Sequence, residues 1–114
     1  MMSGGENLGH VGTPIDPRTI FSQKPGTIIW VYSNGCGWCK RAGPVLEAVQ
    51  RRGIPIRNIS GDNETALKML DDQGVRIEAF PTIFIVNSRG NLLQYKDAVQ
   101  EDVLVRLATR EAGV

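Results

Sequence analysis

Ile28, Ile29, Trp30, Val31 and Tyr32 form an unbroken run of β-branched and aromatic side chains. Such a run suits a strand covered on both faces better than one half exposed to water. Ser33, Asn34 and Gly35 break it. Ala42, Val45, Leu46 and Val49 then recur at helical spacing, so a helix follows the strand directly. Gly43 and Pro44 interrupt that helix, which is expected to kink there and resume to about Arg51, because proline removes one hydrogen bond and crowds the preceding turn. Gly53 ends it.

Downstream, Ile54 to Ile59 reads as a short second strand. Asp62 or Asn63 can cap a helix from Glu64 to Asp72, whose Ala66, Leu67 and Leu70 form an apolar stripe that Gly74 closes. Phe80 to Val86 is a second continuous apolar run and a third strand. The turn Asn87, Ser88, Arg89, Gly90 returns the chain through Asn91 to Tyr95 as the fourth strand of an antiparallel hairpin. A last helix, from about Ala98 to Glu111, is expected to bury Val103, Leu104 and Leu107. Upstream of the first strand, Asp16 as N-cap and Pro17 at the first helical position predict one or two turns of helix before Lys24, Pro25 and Gly26. Residues 1–13 read as a flexible tail and residues 14–114 as one domain.

Strands alternating with helices require parallel neighbours joined by right-handed crossovers, whereas the closing hairpin must be antiparallel. The expected class is α/β, with a mixed sheet of four strands and helices on both faces. The length of 114 residues fits a single core. With 41% hydrophobic and 22% charged residues and a formal net charge of +1, the chain reads as an ordinary soluble protein without the basic excess that points to nucleic acid or an anionic membrane. No secretory leader and no run of membrane-span length is recognisable, which favours a cytoplasmic, reducing environment. There a CxxC pair is more often catalytic or metal-binding than a structural staple.

The chain holds two cysteines, Cys36 and Cys39, separated by Gly37 and Trp38 at the junction of the first strand and its helix. The first N–H groups of a helix favour negative charge, so a thiol at that position is biased toward thiolate, the nucleophilic form. A zinc site needs about four N or S ligands, and the chain offers two cysteines and the distant His10, so no metal is expected. A bridge across four residues closes a very small loop and constrains little chain entropy, which argues against a purely structural role. Thiol–disulfide exchange remains the leading chemistry, with one helical turn returning the second sulfur beside the first.

From about Asp16 to Glu111 the chain resembles the thioredoxin superfamily: a strand followed by CGWCK, Pro44 five residues beyond the second cysteine, Phe80-Pro81-Thr82, and a hairpin leading to a terminal helix. The resemblance implies a thioredoxin-like fold of four, or with an abbreviated first strand five, strands. It implies Cys36 as attacking and Cys39 as resolving cysteine, a cis Pro81, and Phe80 as the residue whose backbone docks the substrate. Tyr32 takes the place of a flanking aromatic. Trp38 is a candidate substrate contact because exposed aromatics concentrate at interfaces, and Gly35, Gly37, Lys40 and Pro44 are candidates for shaping the site. The partners implied are protein disulfides and an upstream reductase or low-molecular-weight thiol. The chain is expected to act as a monomer with no cofactor beyond its own cysteine pair. Three positions depart from thioredoxins proper: Trp30 stands where they carry a buried Asp, Trp38 where Pro or His is usual, and Asp97 where a Gly lines the groove. The reducing direction is expected. A disulfide oxidase or isomerase of the protein disulfide isomerase type, a glutathione-using glutaredoxin-like enzyme, and a redox-sensing binding scaffold without catalysis are the alternatives.

Overall fold

Side chains alternate along the central strand and divide the interior in two. The structure, a computed structural model, describes residues 8–113. Its strands are β1 (Thr13–Pro14), β2 (Ile28–Tyr32), β3 (Ile56–Ser60), β4 (Thr82–Val86) and β5 (Leu92–Tyr95); its α-helices are α1 (Gly37–Arg51), α2 (Glu64–Asp72) and α3 (Glu101–Glu111). Short 3-10 turns cover Leu8–His10 and Pro17–Ser22. The strands form one mixed sheet in the order β1-β3-β2-β4-β5. β3 is parallel to both β1 and β2, whereas β4 is antiparallel to β2 and to β5.

All five residues of β2 are buried, as a central strand with both faces covered requires. Ile28, Trp30 and Tyr32 face α1 and α3, packing with Leu46, Val49, Ile83, Ile85 and Leu104. Ile29 and Val31 face the opposite way, onto Ile20, Leu70, Phe84 and Val86. The period-two alternation of a strand thus feeds two cores from one five-residue run.

Several elements differ from the sequence expectation, the larger differences for local reasons. The fifth strand, β1, is two exposed residues long and pairs with Arg57 and Asn58, too short to leave any periodic signal. β3 starts at Ile56, and the preceding Pro55 carbonyl accepts the Ile28 N–H at 2.9 Å. β4 starts at Thr82, whose hydroxyl turns back to donate to the Ala79 carbonyl at 2.6 Å. The last helix begins at Glu101, three residues later than expected, because Ala98 is engaged from the sheet side by the Tyr95 hydroxyl at 2.5 Å. Glu101 and Asp102 then place two carboxylates in the first turn, where the helix dipole favours them. The proline-interrupted helix is a single assigned element, with Pro44 inside α1.

The expected tail is corrected from Leu8 onward; Met1 to Asn7 lie outside the described residues. Leu8 and Val11 are 4% and 1% exposed and belong to the α1-side core. They lie over Gly43, where an added Cβ would come within 3.3 Å of Leu8 Cδ2 and 3.7 Å of Val11 Cγ2. The absence of a side chain at Gly43 leaves this segment in close contact with the helix. Asn58, buried in β3, secures it by donating Nδ2 to the carbonyls of Gly9, Val11 and Gly12 at 2.9, 3.0 and 3.2 Å.

Candidate active site

Cys36 is the N-cap of α1. Its position follows from the chain's geometry: β2 ends at Tyr32, the Cys36 N–H donates to the Ser33 carbonyl at 3.2 Å to close a turn, and the helix starts at Gly37. The Cys36 sulfur occupies the place of a capping oxygen, accepting the Cys39 N–H at 3.1 Å. It also donates to the Phe80 carbonyl at 3.4 Å. One orphan helix donor is therefore aimed at the sulfur.

Cys39, one turn on, is 0% exposed, whereas Cys36 is half-buried; both are free thiols. Burial, followed by the hydrogen bond to Cys36, pushes the Cys39 thiol up from 9.0 to about 12. The pair is thus asymmetric, with one sulfur reachable from solvent and one kept protonated in the core. Among the described residues, no three His, Cys, Asp or Glu side chains converge as a metal site.

Phe80 and Pro81 face the pair from the start of β4, and the peptide bond between them is cis. Phe80 is partly buried against both cores. Its ring lies over Gly61, where a Cβ would collide with the ring edge and come within 3.0 Å of the Tyr32 carbonyl. A groove of about 590 Å3 runs alongside, lined among others by Trp38, Arg41, Pro81, Tyr95, Lys96 and Asp97. Trp38 is 69% exposed, and the Arg41 guanidinium stacks on it at 5.1 Å from the ring centroid.

The other expected site residues are placed as follows. Tyr32 is only 5% exposed; its ring packs on Trp30 at 5.2 Å, and it borders a separate hollow with Pro14, Ser60 and Asn63. It does not line the groove beside the cysteines. Gly35 and Gly37 are exposed, and a Cβ at either would meet nothing within 4 Å, so crowding does not demand glycine there. Lys40 and Pro44 lie on the exposed side of α1. Asp97 lies in the groove wall and contributes, after burial, to holding the Tyr95 phenol above its usual range.

Trp30 is fully buried and its indole N–H donates to the Val11 carbonyl at 3.0 Å. The place of a buried acid is thus taken by a satisfied aromatic, and no carboxylate from β2 reaches Cys39. The acid near the pair comes from the loop after β3. Asp62 accepts from the Ser33 hydroxyl at 2.7 Å and from the Asn34 N–H at 3.0 Å, and these donors hold its carboxyl below the usual range. Read from sequence, Asp62 competes with Asn63 for the cap of α2; Asn63 is the cap, accepting the Ala66 N–H at 3.2 Å. Two adjacent cap-forming residues before one helix are the signal that one of them has another task. Asn58 was equally unassigned, its signal being a lone amide between apolar strand residues.

No protein-family model matches the chain. A rice protein (Oryza sativa subsp. japonica), protein disulfide isomerase-like 1-3, is 22% identical over 93 residues, which are 76% of this chain and 16% of that protein. Among solved structures, the J-Trx1 fragment of ERdj5 superposes with a TM-score of 0.71 at 18% identity, covering 92% of this chain and 53% of that one. The chain therefore spans about half of the solved relative and a sixth of the curated one. With its five-stranded mixed sheet flanked by helices and its paired cysteines at the start of α1, the chain has a thioredoxin-like fold.

Proposed function

We propose that the chain is a thiol–disulfide oxidoreductase that reduces protein disulfides through Cys36 and Cys39. The observation that carries this reading is the asymmetry of the pair: a half-buried Cys36 sulfur capping α1 and a fully buried Cys39 one turn behind it. Cys36 as thiolate attacks one sulfur of the substrate disulfide, forming a mixed disulfide and expelling the other substrate sulfur as thiolate, which takes a proton from water. Cys39 gives its proton to solvent and attacks the Cys36 sulfur. The Cys36–Cys39 bond forms, the mixed disulfide breaks, and the second substrate thiol leaves. Two electrons have passed to the substrate, and an upstream reductase or low-molecular-weight thiol returns them. The substrate chain lies along the groove between Trp38 and Pro81, with the Phe80 backbone docking it. The protein works as a monomer in a reducing compartment; among the described residues no helix is long and apolar enough to cross a membrane.

Cys39→Ser tests the chemistry: the variant accumulates substrates as mixed disulfides on Cys36. No trapped species, together with no reduction of insulin by the unmodified protein, would refute the reading and favour a binding scaffold. The likeness to a protein disulfide isomerase-like protein supplies the second reading, an oxidase or isomerase using the same two sulfurs. The reduction potential separates them, since about −270 mV fits a reductase and about −180 to −120 mV fits an oxidant.

A further inference from the structure

Trp38 and Arg41 stand one helical turn apart on α1 and meet over the groove beside the cysteines. The Arg41 guanidinium lies 5.1 Å from the Trp38 ring centroid, although both residues are exposed to solvent. Such a stack occupies the flat face of a guanidinium and leaves the N–H donors at its rim free. In Arg41 they are unspent, since among the described residues it pairs with no carboxylate and donates no hydrogen bond. Lys96, exposed in the same groove, also has no ion pair. Asp97 is the single acid among the groove's lining residues and pairs with neither cation. Lys40 adds a further exposed cation next to Arg41, and the first turn of α1 holds no acid. This end of the groove is therefore basic, while Pro81, Ile83 and Val99 give it apolar lining.

A carboxylate fits the rim of a stacked guanidinium through two parallel charge-assisted bonds. The stack already restrains the Arg41 side chain, so less rotamer entropy is lost on forming them than with a free arginine. Arg41 lies five residues beyond Cys36, about 7.5 Å along the helix axis, which an extended peptide covers in roughly two residues. We propose that Arg41, held on Trp38, is a specificity-determining residue that selects protein segments with an aspartate or glutamate close to the disulfide-bonded cysteine. The inference rests on the exchange chemistry proposed above and names the substrate class for that site. Arg51 marks the contrast: it is exposed and unpaired at the far end of α1, but it stacks on no ring among the described residues and lies away from the groove.

The test follows the reduced full chain reacting with short peptides whose single cysteine carries a neutral 2-pyridyl mixed disulfide. The Cys36 thiolate attacks the peptide sulfur, the S–S bond breaks, and pyridine-2-thiolate leaves, takes a proton from water and gives the absorbance that reports the rate. Cys39 then attacks the Cys36 sulfur and frees the peptide thiol. The peptides differ only at the positions about two residues to either side of the cysteine, which hold Glu, Gln or Leu. Each rate is divided by that of the same peptide with 2-mercaptoethanol, which removes the effect of a charge on the disulfide itself. The Glu peptide is expected to react roughly threefold to tenfold faster than the Gln peptide, the size of a charge-assisted contact at a partly screened surface. Arg41→Gln is expected to bring that ratio to about one, and Arg41→Lys, which keeps the charge and loses the planar fork, to keep part of it. Arg51→Gln, about 15 Å further along the helix, should leave the ratio intact. A ratio within about 1.5-fold of unity in the unmodified chain, or a preference that survives Arg41→Gln, would overturn the proposal. So would a preference lost equally in Arg51→Gln, which would make it a general charge effect, or fastest reaction of the Leu peptide, which would assign the groove to apolar segments. Any accessible thiol reacts with this probe, so the ratio is readable even if the chain turns over no protein disulfide. Failure of the enzymatic reading is seen separately, in the insulin assay.

Discussion

Trp30 and Asn58, partners across the parallel β2–β3 pair, donate side-chain N–H groups to the same acceptor, the Val11 carbonyl, each at 3.0 Å. The position expected to hold a buried acid is instead part of the seam that joins the N-terminal segment to the sheet. Asn58→Ala would strip the seam of the amide that serves Gly9, Val11 and Gly12. The expected cost is about 1–2 kcal/mol, because the half-buried Gly9 and Gly12 carbonyls lose this donor while Val11 keeps the Trp30 indole. Urea unfolding measures it, and a loss below about 0.5 kcal/mol would contradict the buried-seam account.

With Trp30 in place of a carboxylate, the step that needs Cys39 as thiolate has no built-in base from β2. The thiolate fraction of a group whose pKa lies well above the working pH rises tenfold per pH unit. Resolution of a mixed disulfide formed on Cys36 should therefore accelerate steadily between about pH 6 and 9. Rapid-quench measurement of substrate release gives the profile. A flat profile would mean that another group takes the proton.

The same raised thiol makes the reduced protein sensitive to alkali. Cys39 holds its proton up to about 12 when folded and gives it up near 9.0 when unfolded, so above the lower value the folded state binds more protons. Stability from this source is complete below the unfolded value and falls as pH climbs toward the folded one, at up to about 1.4 kcal/mol per pH unit. Reduced protein should lose up to about 2 kcal/mol more than Cys39→Ala between about pH 9 and 10.5 in denaturant titrations. Parallel losses in the two proteins would show that Cys39 is not the group responsible.

Gly61→Ala places a methyl against the Phe80 ring and the Tyr32 carbonyl, which already accepts the Gly61 N–H at 2.6 Å. The ring can move but the backbone oxygen cannot easily follow. A loss of about 1–3 kcal/mol is expected. Because the Phe80 carbonyl contacts the Cys36 sulfur, the alkylation rate of Cys36 should change as well. An unchanged melting temperature together with an unchanged alkylation rate would show that the site tolerates the methyl.

Trp38→Ala removes an exposed ring that carries the Arg41 guanidinium. Stability should move by less than about 0.5 kcal/mol, as for other exposed positions. KM for a protein disulfide should rise severalfold while the rate with a small disulfide holds, since exposed aromatics anchor macromolecular partners. Equal losses on both substrates would instead implicate Trp38 in the chemistry.

What could be read in the chain follows from how each signal arises. β2 and β4 announce themselves because a strand covered on both faces must be apolar at every position, and α1 and α2 because their buried residues repeat with the helical turn. The placement of the cysteine pair at the strand-to-helix junction is legible because the apolar strand and the helical repeat that flank it are both local patterns. Leu8 and Val11 read as tail because two apolar residues among glycines show no period, and the helix position they pack on, Gly43, lies thirty-two residues beyond Val11. Asp62 reads only as an alternative to Asn63 for the cap of α2, because its partners, Ser33 and Asn34, lie twenty-nine and twenty-eight residues away. Contacts of that range leave no local pattern.

The way Leu8 is tied down decides what can be attached to this protein. Its N–H donates to the Asn34 side chain at 2.9 Å, two residues before Cys36, so any polypeptide joined upstream is tethered close to the reactive sulfur. A cysteine in a short fused linker there would meet Cys36 at an effective concentration of about millimolar, competing with substrates in solution. The last turn of the described residues has the opposite geography. Ala112 packs against Gly26, which precedes β2, at the far end of that strand from Cys36. A label placed on Ala112 is thus held far from Cys36, and one placed on Leu8 is held near it.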